Sequence, residues 1–253
     1  FEINAEIEKI NLENNFNVKI HVDAASGGFI APFQGEIFDK KPWDFRNKNV
    51  LSITASGHKF GESTLGSGWL ILRNRKLLKY ISIDVSYLGG NSSSFSLNFS
   101  RPASGIYSQM FRFLTLGLQG YNDLVIKRNN LANIIRKGLC NITYKGNQVF
   151  EIIDDTINNI KCLPVVAAKF NLDIGLDSCK LQEILEKYNW YIPGYKLEFT
   201  HPITHKKKLI YSNISHFNDK SIFRIVCKSS MKISEAYEII KLIKQIIYRK
   251  IGL

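Results

Sequence analysis

Two short apolar runs, each ending in a stretch of small and polar residues, constrain this chain more than any other feature. Val18-Lys19-Ile20-His21-Val22 runs into Asp23-Ala24-Ala25-Ser26-Gly27-Gly28-Phe29, and the run from Val50 to Thr54 leads to Ser56-Gly57-His58-Lys59-Phe60-Gly61. With a third run from Gly68 to Leu72, they fit strands of an α/β sheet separated by Gly- and Ser-rich turns. Residues 105–138 carry two helical patterns, with Ile106, Met110, Phe113 and Leu114 on one face and Leu124, Val125, Leu131, Ile134 and Ile135 on the next. That length suits a connector between domains.

From about residue 139 the pattern becomes α+β. Strands are predicted at Gln148 to Ile153, Leu163 to Phe170 and Ser221 to Lys228, and helices at Ser178 to Tyr188 and Ile233 to Arg249. The last helix spaces Ile233, Ala236, Tyr237, Ile240, Ile243 and Ile247 as a buried face. The chain therefore divides near residue 128. Residues 1–128 form a first domain with its connector helix, and residues 129–253 form a smaller α+β domain. It opens on Phe1 and enters at once a helical pattern of Ile3, Ile7 and Ile10, which reads as a chain beginning mid-protein.

At 253 residues, 45% of them hydrophobic, the chain can bury a substantial core. No apolar run approaches the roughly 20 residues of a membrane-spanning helix, and Glu2, Glu6 and Glu8 do not suit a signal peptide, so a cytoplasmic location is expected. Cys140, Cys162, Cys179 and Cys227 are widely spaced and form no CxxC pair, which argues against a metal site or a disulfide framework and for reduced, mostly buried thiols. The formal charge of +12 would suit a nucleic acid, but the lysines of Lys206-Lys207-Lys208 and of the last helix form no single binding element. No nucleic-acid partner is expected.

The chemistry concentrates at the two strand ends. A lysine between glycines at a strand end is exposed and held by backbone, and a deprotonated lysine condenses with an aldehyde such as pyridoxal phosphate (PLP). Ser56 and His58 beside Lys59 could donate to a phosphate, and the glycines let backbone approach closely. Asp23 ends its strand where open α/β sheets bind ligands. A carboxylate there could keep the PLP ring nitrogen protonated, and Ala24 and Ala25 would let the flat ring lie close. Read singly, Lys59 is better taken as a surface lysine and Arg224 as a surface strand residue, while Asp23 is as readily a turn cap.

The order of the segments goes further. Asp23 to Phe29, Trp43-Asp44-Phe45-Arg46, Ser56 to Gly61, Tyr87-Leu88-Gly89-Gly90 and Phe95-Ser96-Leu97-Asn98-Phe99-Ser100-Arg101-Pro102 together resemble the glutamate decarboxylase branch of the group II PLP decarboxylases. The resemblance is dense from residue 20 to about 121. Later, Phe223-Arg224-Ile225-Val226-Cys227-Lys228 is similar to the family's substrate-binding strand.

The resemblance implies an α/β fold of the PLP-dependent transferase (type I aminotransferase) class, seen as part of the large domain plus the small C-terminal domain. It implies active sites at the interface of a homodimer or higher homo-oligomer, and conversion of L-glutamate to 4-aminobutanoate and carbon dioxide. Lys59 would hold PLP as a Schiff base, Asp23 would pair with the ring nitrogen, and Ala25 would lie against the ring. Ser56 and His58 would lie at the phosphate, Ser100 would reach the phosphate of the neighbouring subunit's cofactor, and Arg224 would pair with the substrate α-carboxylate. Glu62-Ser63-Thr64, Asn91 to Ser94 and Lys228 to Met231 depart from the family pattern. In the resembling family the ring-stacking histidine, a phosphate loop and the distal-carboxylate pocket precede the segment matched by Phe1, so the chain by itself is expected to bind PLP weakly and to be inactive. Two alternatives stay open: another PLP lyase, such as an aromatic amino-acid decarboxylase or a sphingosine-phosphate-lyase-like enzyme, and a non-catalytic fragment.

Overall fold

Strands β1 (Ile20–Asp23) and β2 (Val50–Ser56) lie side by side and parallel, with Asp23 opposite Thr54. Strand β3 (Gly68–Leu72) adds antiparallel to the other edge of β2. The computed structural model describes residues 2–35, 42–85, 92–95, 100–153, 162–201, 203–209 and 221–252. The segments Tyr87 to Gly90 and Ser96 to Phe99, which carry part of the family resemblance, lie outside them. The chain divides into two units, Phe1–Asp123 and Leu124–Leu253.

In the first unit, helix α1 (Glu2–Asn14) covers the predicted N-terminal pattern but buries none of its residues. It is tied to the sheet by the buried Asn49, whose amide donates to Asn4 Oδ1 at 2.8 Å and to Glu8 Oε1 at 3.2 Å. A small core of Ala24, Val50 and Ile53, with Ile20, Val22, Trp43 and Phe45 packed against it, holds β1 to β2. Arg73 fastens the intervening segment: its guanidinium donates to the carbonyls of Phe45, Asn47 and Val50. Strands β4 (Ile83–Val85) and β5 (Ser92–Ser94) form a separate antiparallel pair.

Helix α2 (Ser104–Cys140) spans the two helical patterns read between residues 105 and 138 as one assigned helix, kinked at Gly117, whose φ of 57° and ψ of −169° are not helical. Its early face of Ile106, Met110, Phe113 and Leu114 is exposed, whereas Leu131, Ile135 and Leu139 are fully buried.

The second unit builds a four-stranded antiparallel sheet in the order β10 (Gly194–Lys196), β13 (Ser221–Val226), β9 (Val165–Phe170), β8 (Phe150–Ile152). The short pair β6 (Thr143–Tyr144) with β7 (Asn147–Gln148) precedes it in sequence, and the pair β11 (Glu198–Thr200) with β12 (Lys207–Leu209) falls between β10 and β13. Helix α3 (Ser178–Glu186) starts at Asp177, whose carboxylate accepts from the Lys180 backbone N–H at 2.8 Å, a capping bond that satisfies one of the orphan donors of the first turn. Helix α4 (Ile233–Lys250) closes the core with Ala236, Ile239, Ile243, Ile246 and Ile247.

This corrects the predicted buried stripe of the last helix. Ile233 and Tyr237 are 57% and 59% exposed, and Ile239 and Ile246 are buried in their place. The helix has isoleucines on more than one face, so 3-4 spacing alone permits two registers and packing selects one. A β-carbon at Gly138 of α2 would overlap the Ile240 side chain, so the missing side chain there lets the two helices approach. The cysteines also differ from expectation: none of the four is in a disulfide, but only Cys227 is buried. Burial pushes its thiol up to about 11, against the opposing pull of Arg136, so it is protonated at neutral pH.

Phe150 stands at the centre of the second core, its ring 4.9 Å from that of Phe170 and 5.3 Å, edge-on, from that of Phe223. Truncating it removes both ring contacts and leaves a cavity. Phe150→Ala should destabilise this unit by about 3–5 kcal/mol in urea unfolding, and a loss below about 1 kcal/mol would contradict the packing described.

Candidate active site

Parallel pairing fixes where the chemistry collects. Because β1 and β2 run the same way, their carboxyl ends share one end of the sheet, and the segments that follow them turn over the same edge. Two backbone bonds lock these segments together: Ala24 N–H donates to Thr54 O at 2.9 Å and Ser56 N–H to Ala25 O at 3.1 Å. The turn after Asp23 packs flat on β2, where a β-carbon at Gly28 would stand 2.7 Å from that of Ala55.

Asp23 is exposed at the tip of β1. Its Oδ1 accepts from the Ala25 backbone N–H at 3.0 Å and from the Thr54 hydroxyl at a long 3.5 Å. Thr54 Oγ1 is also 3.5 Å from His21 Nε2, and His21 Nδ1 is 2.7 Å from Ser52 Oγ. The carboxylate is thus oriented through one of its oxygens.

The segment after β2 turns back on itself. Gly57 N–H donates to Ser67 O at 3.1 Å, and Ser63 N–H donates to Gly57 O at 3.0 Å. His58 Nδ1 donates to Ser67 O at 3.0 Å, which leaves Nε2 as the ring nitrogen available to a ligand. Lys59 is exposed, as its glycine-flanked position at a strand end predicts. Glycine is required at 57, where a β-carbon would run into Gln109 Oε1 and stand 2.5 Å from Ser67 Oγ.

The structure therefore brings Asp23, Ala25, Ser56, His58 and Lys59 to one end of one sheet. Ser100 is exposed, a few residues before α2. Arg224 belongs to the second unit, on β13 opposite Ala167, with its guanidinium 5.8 Å from the Tyr195 ring. Residues that sequence reading missed include Thr54 and Ser67. Thr54 is one strand position from a candidate residue, and the parallel register would have revealed it; Ser67 acts through its backbone carbonyl, which carries no residue-type signal.

Residues 1–163 match the model of the pyridoxal-dependent decarboxylase conserved domain. Over 239 residues the chain is 33% identical to a probable glutamate decarboxylase gamma of Listeria monocytogenes, covering 93% of this chain and 45% of that protein. The solved glutamate decarboxylase of Lactobacillus brevis superposes with a TM-score of 0.78 at 32% identity, over 99% of this chain and 51% of that one. The sphingosine-1-phosphate lyase of Burkholderia pseudomallei shares the fold, with a TM-score of 0.64 at 17% identity, over 97% of this chain and 47% of that one. The chain spans about half the length of the relatives it matches. Its fold is that of the type I PLP-dependent enzymes, and the chain belongs to the pyridoxal-dependent decarboxylase family.

Proposed function

We propose that the protein carrying this chain is a PLP-dependent carboxy-lyase that converts L-glutamate to 4-aminobutanoate and carbon dioxide. The observation that carries this reading is the parallel register of β1 and β2, with Asp23 opposite Thr54 and the Ser56 to Lys59 segment just beyond. Identity of 33% to a glutamate decarboxylase, against 17% to a sphingosine-1-phosphate lyase, supports glutamate over the other lyase substrates. The two units correspond, in this reading, to the later part of the large domain and to the small domain.

The donor set fits PLP group by group. An exposed amine, a carboxylate oriented through one oxygen, and an imidazole with Nδ1 already engaged match an aldehyde, a basic ring nitrogen and a phosphate. The tight packing at Gly28 and Gly57 leaves backbone rather than side chains along the turns beside them. PLP, when bound, supplies an electron sink for the pair left behind by departing carbon dioxide.

The remaining work falls to the chain's own residues. Lys59 would hold the cofactor through its ε-amine, and that amine is also suited to proton transfer at the reacting carbon. Asp23 would favour a protonated ring nitrogen by the attraction of its negative charge. Ala25 would lie against the ring, Ser56 would donate to a phosphate oxygen, and His58, whose Nδ1–H is given to Ser67 O, would donate through Nε2 only as the imidazolium. Arg224 grips the substrate α-carboxylate through its two-pronged guanidinium, fixing the bond that must break. Ser100 reaches the phosphate of a neighbouring copy's cofactor in a homodimer or larger homo-oligomer. Exposed Trp69, Leu70, Ile71, Met110, Leu114 and Leu118 form apolar surface of a kind normally covered, whether by the rest of the protein or by a second copy. A cytoplasmic compartment is part of this reading, since the wide spacing of the four cysteines suits thiols kept reduced. Among the described residues no helix is long and apolar enough to cross a membrane.

In the complete protein, borohydride should fix PLP on Lys59, and Lys59→Ala should abolish that adduct. Peptide mapping that finds the cofactor on another lysine would reject the assignment. Asp23→Asn should leave PLP bound but lower decarboxylation by about a hundredfold, since a neutral amide no longer favours the protonated ring. Turnover within a few-fold of the unaltered protein would contradict this role.

A further inference from the structure

The carbonyl of Gly61, two residues beyond Lys59, is gripped from α2. Gln109 Nε2 donates to it at 2.9 Å and the Tyr121 hydroxyl at 2.8 Å, so both of its lone pairs are taken. Gln109 Nε2 also donates to the Tyr121 oxygen at 3.1 Å, closing a three-membered network that is buried throughout. The other end of the same amide bears on the same loop: Gln109 Oε1 is buried, has no hydrogen-bond partner among the described residues, and abuts Gly57.

A straight helix could not make this grip. Gln109 and Tyr121 are twelve residues apart, which in an unbroken helix puts them about 18 Å apart along the axis, beyond the combined reach of the two side chains. The kink at Gly117 brings them together. Its φ of 57° lies where glycine is favoured, and a β-carbon there would meet no atom within 4 Å, so the requirement for glycine is one of backbone conformation and not of space.

The grip extends along the loop. Arg112 Nε donates to Glu62 O at 3.0 Å, Ser63 Oγ to Gly105 O at 3.0 Å, and Thr64 N–H to Ser108 Oγ at 3.1 Å. Tyr121 also belongs to an aromatic cluster that reaches the turn after Asp23, its ring 5.7 Å from that of Phe29 and 6.1 Å from that of Phe33. One residue therefore bears on both halves of the candidate site.

We propose that Gln109 and Tyr121, brought together by the kink at Gly117, are positioning residues for Lys59: they clamp the Gly61 carbonyl and so fix the loop that presents the lysine amine. The proposal rests on the reading of Lys59 as the residue that holds the cofactor. Burial raises the Tyr121 hydroxyl above its ordinary range, which keeps it a proton donor at neutral pH.

Three variants test it in the complete protein. Tyr121→Phe keeps the ring and removes only the hydroxyl, Gln109→Met removes the donor at similar volume, and Gly117→Ala strains the kink without a clash. Amide hydrogen exchange without cofactor should speed up at least tenfold at Gly57 and Ser63 in each variant, and by less than twofold at Phe223 and Ile225 in the second unit. With excess PLP and borohydride, the rate of fixation at Lys59, read by peptide mass spectrometry, should fall at least fivefold. Unchanged exchange at Gly57 and Ser63, or a loss matched at Phe223 and Ile225, would overturn the clamp, as would faster loop exchange with an unchanged rate at Lys59. Fixation on a different lysine in the unaltered chain would instead overturn the Lys59 reading, and the clamp's assigned role with it.

Discussion

Everything proposed for the first unit depends on the parallel pairing of β1 with β2. Had these strands run antiparallel, Asp23 and Lys59 would leave opposite ends of the sheet and no ligand could meet both. Parallel strands need a covered crossover between them, and the segment between β1 and β2 supplies part of one: Trp43 and Phe45 pack on the strands, and Arg73 ties the Phe45 and Asn47 carbonyls of that segment to the Val50 carbonyl at the start of β2. The pairing is thus supported by apolar burial and by the hydrogen bonds of the half-buried Arg73 guanidinium.

The two units are stabilised differently. The second has a continuous core in which helix α4, the later part of α2 and the sheet bury Leu131, Ile135, Phe150, Phe170, Phe223 and Ile243. The first has a small core and several large exposed apolar side chains on β3 and the early part of α2. Its order near the candidate site comes instead from directed bonds: backbone pairs between the two turns, and side chains of α2 that staple residues 61–64. Directional bonds of this kind fix geometry where apolar packing alone would leave a loop mobile.

Much of this was legible in the sequence, for reasons that can be named. The three strands of the first sheet, the helix at 233–250 and the exposure of Lys59 follow from periodicity and glycine flanks, which act over a few residues. The buried face of α4 was half misread because Ile233, Ile239, Ile240 and Ile246 offer more than one apolar stripe. The Gly61 clamp was illegible, since its partners lie 48 and 60 residues away and are joined through a kink that no local pattern announces. The roles of Ser100 and Arg224 came from family resemblance alone; neither spacing nor composition marks a lone serine or a strand arginine as functional.

The central claim is that the ends of two parallel strands form one cofactor site. A crystal structure of the complete protein with PLP tests it most directly. The account predicts continuous density from Lys59 Nζ to the cofactor, the ring nitrogen within hydrogen-bond distance of the Asp23 carboxylate, and the phosphate at Ser56 and His58. A cofactor bound through another lysine, or a ring nitrogen facing away from Asp23, would contradict it.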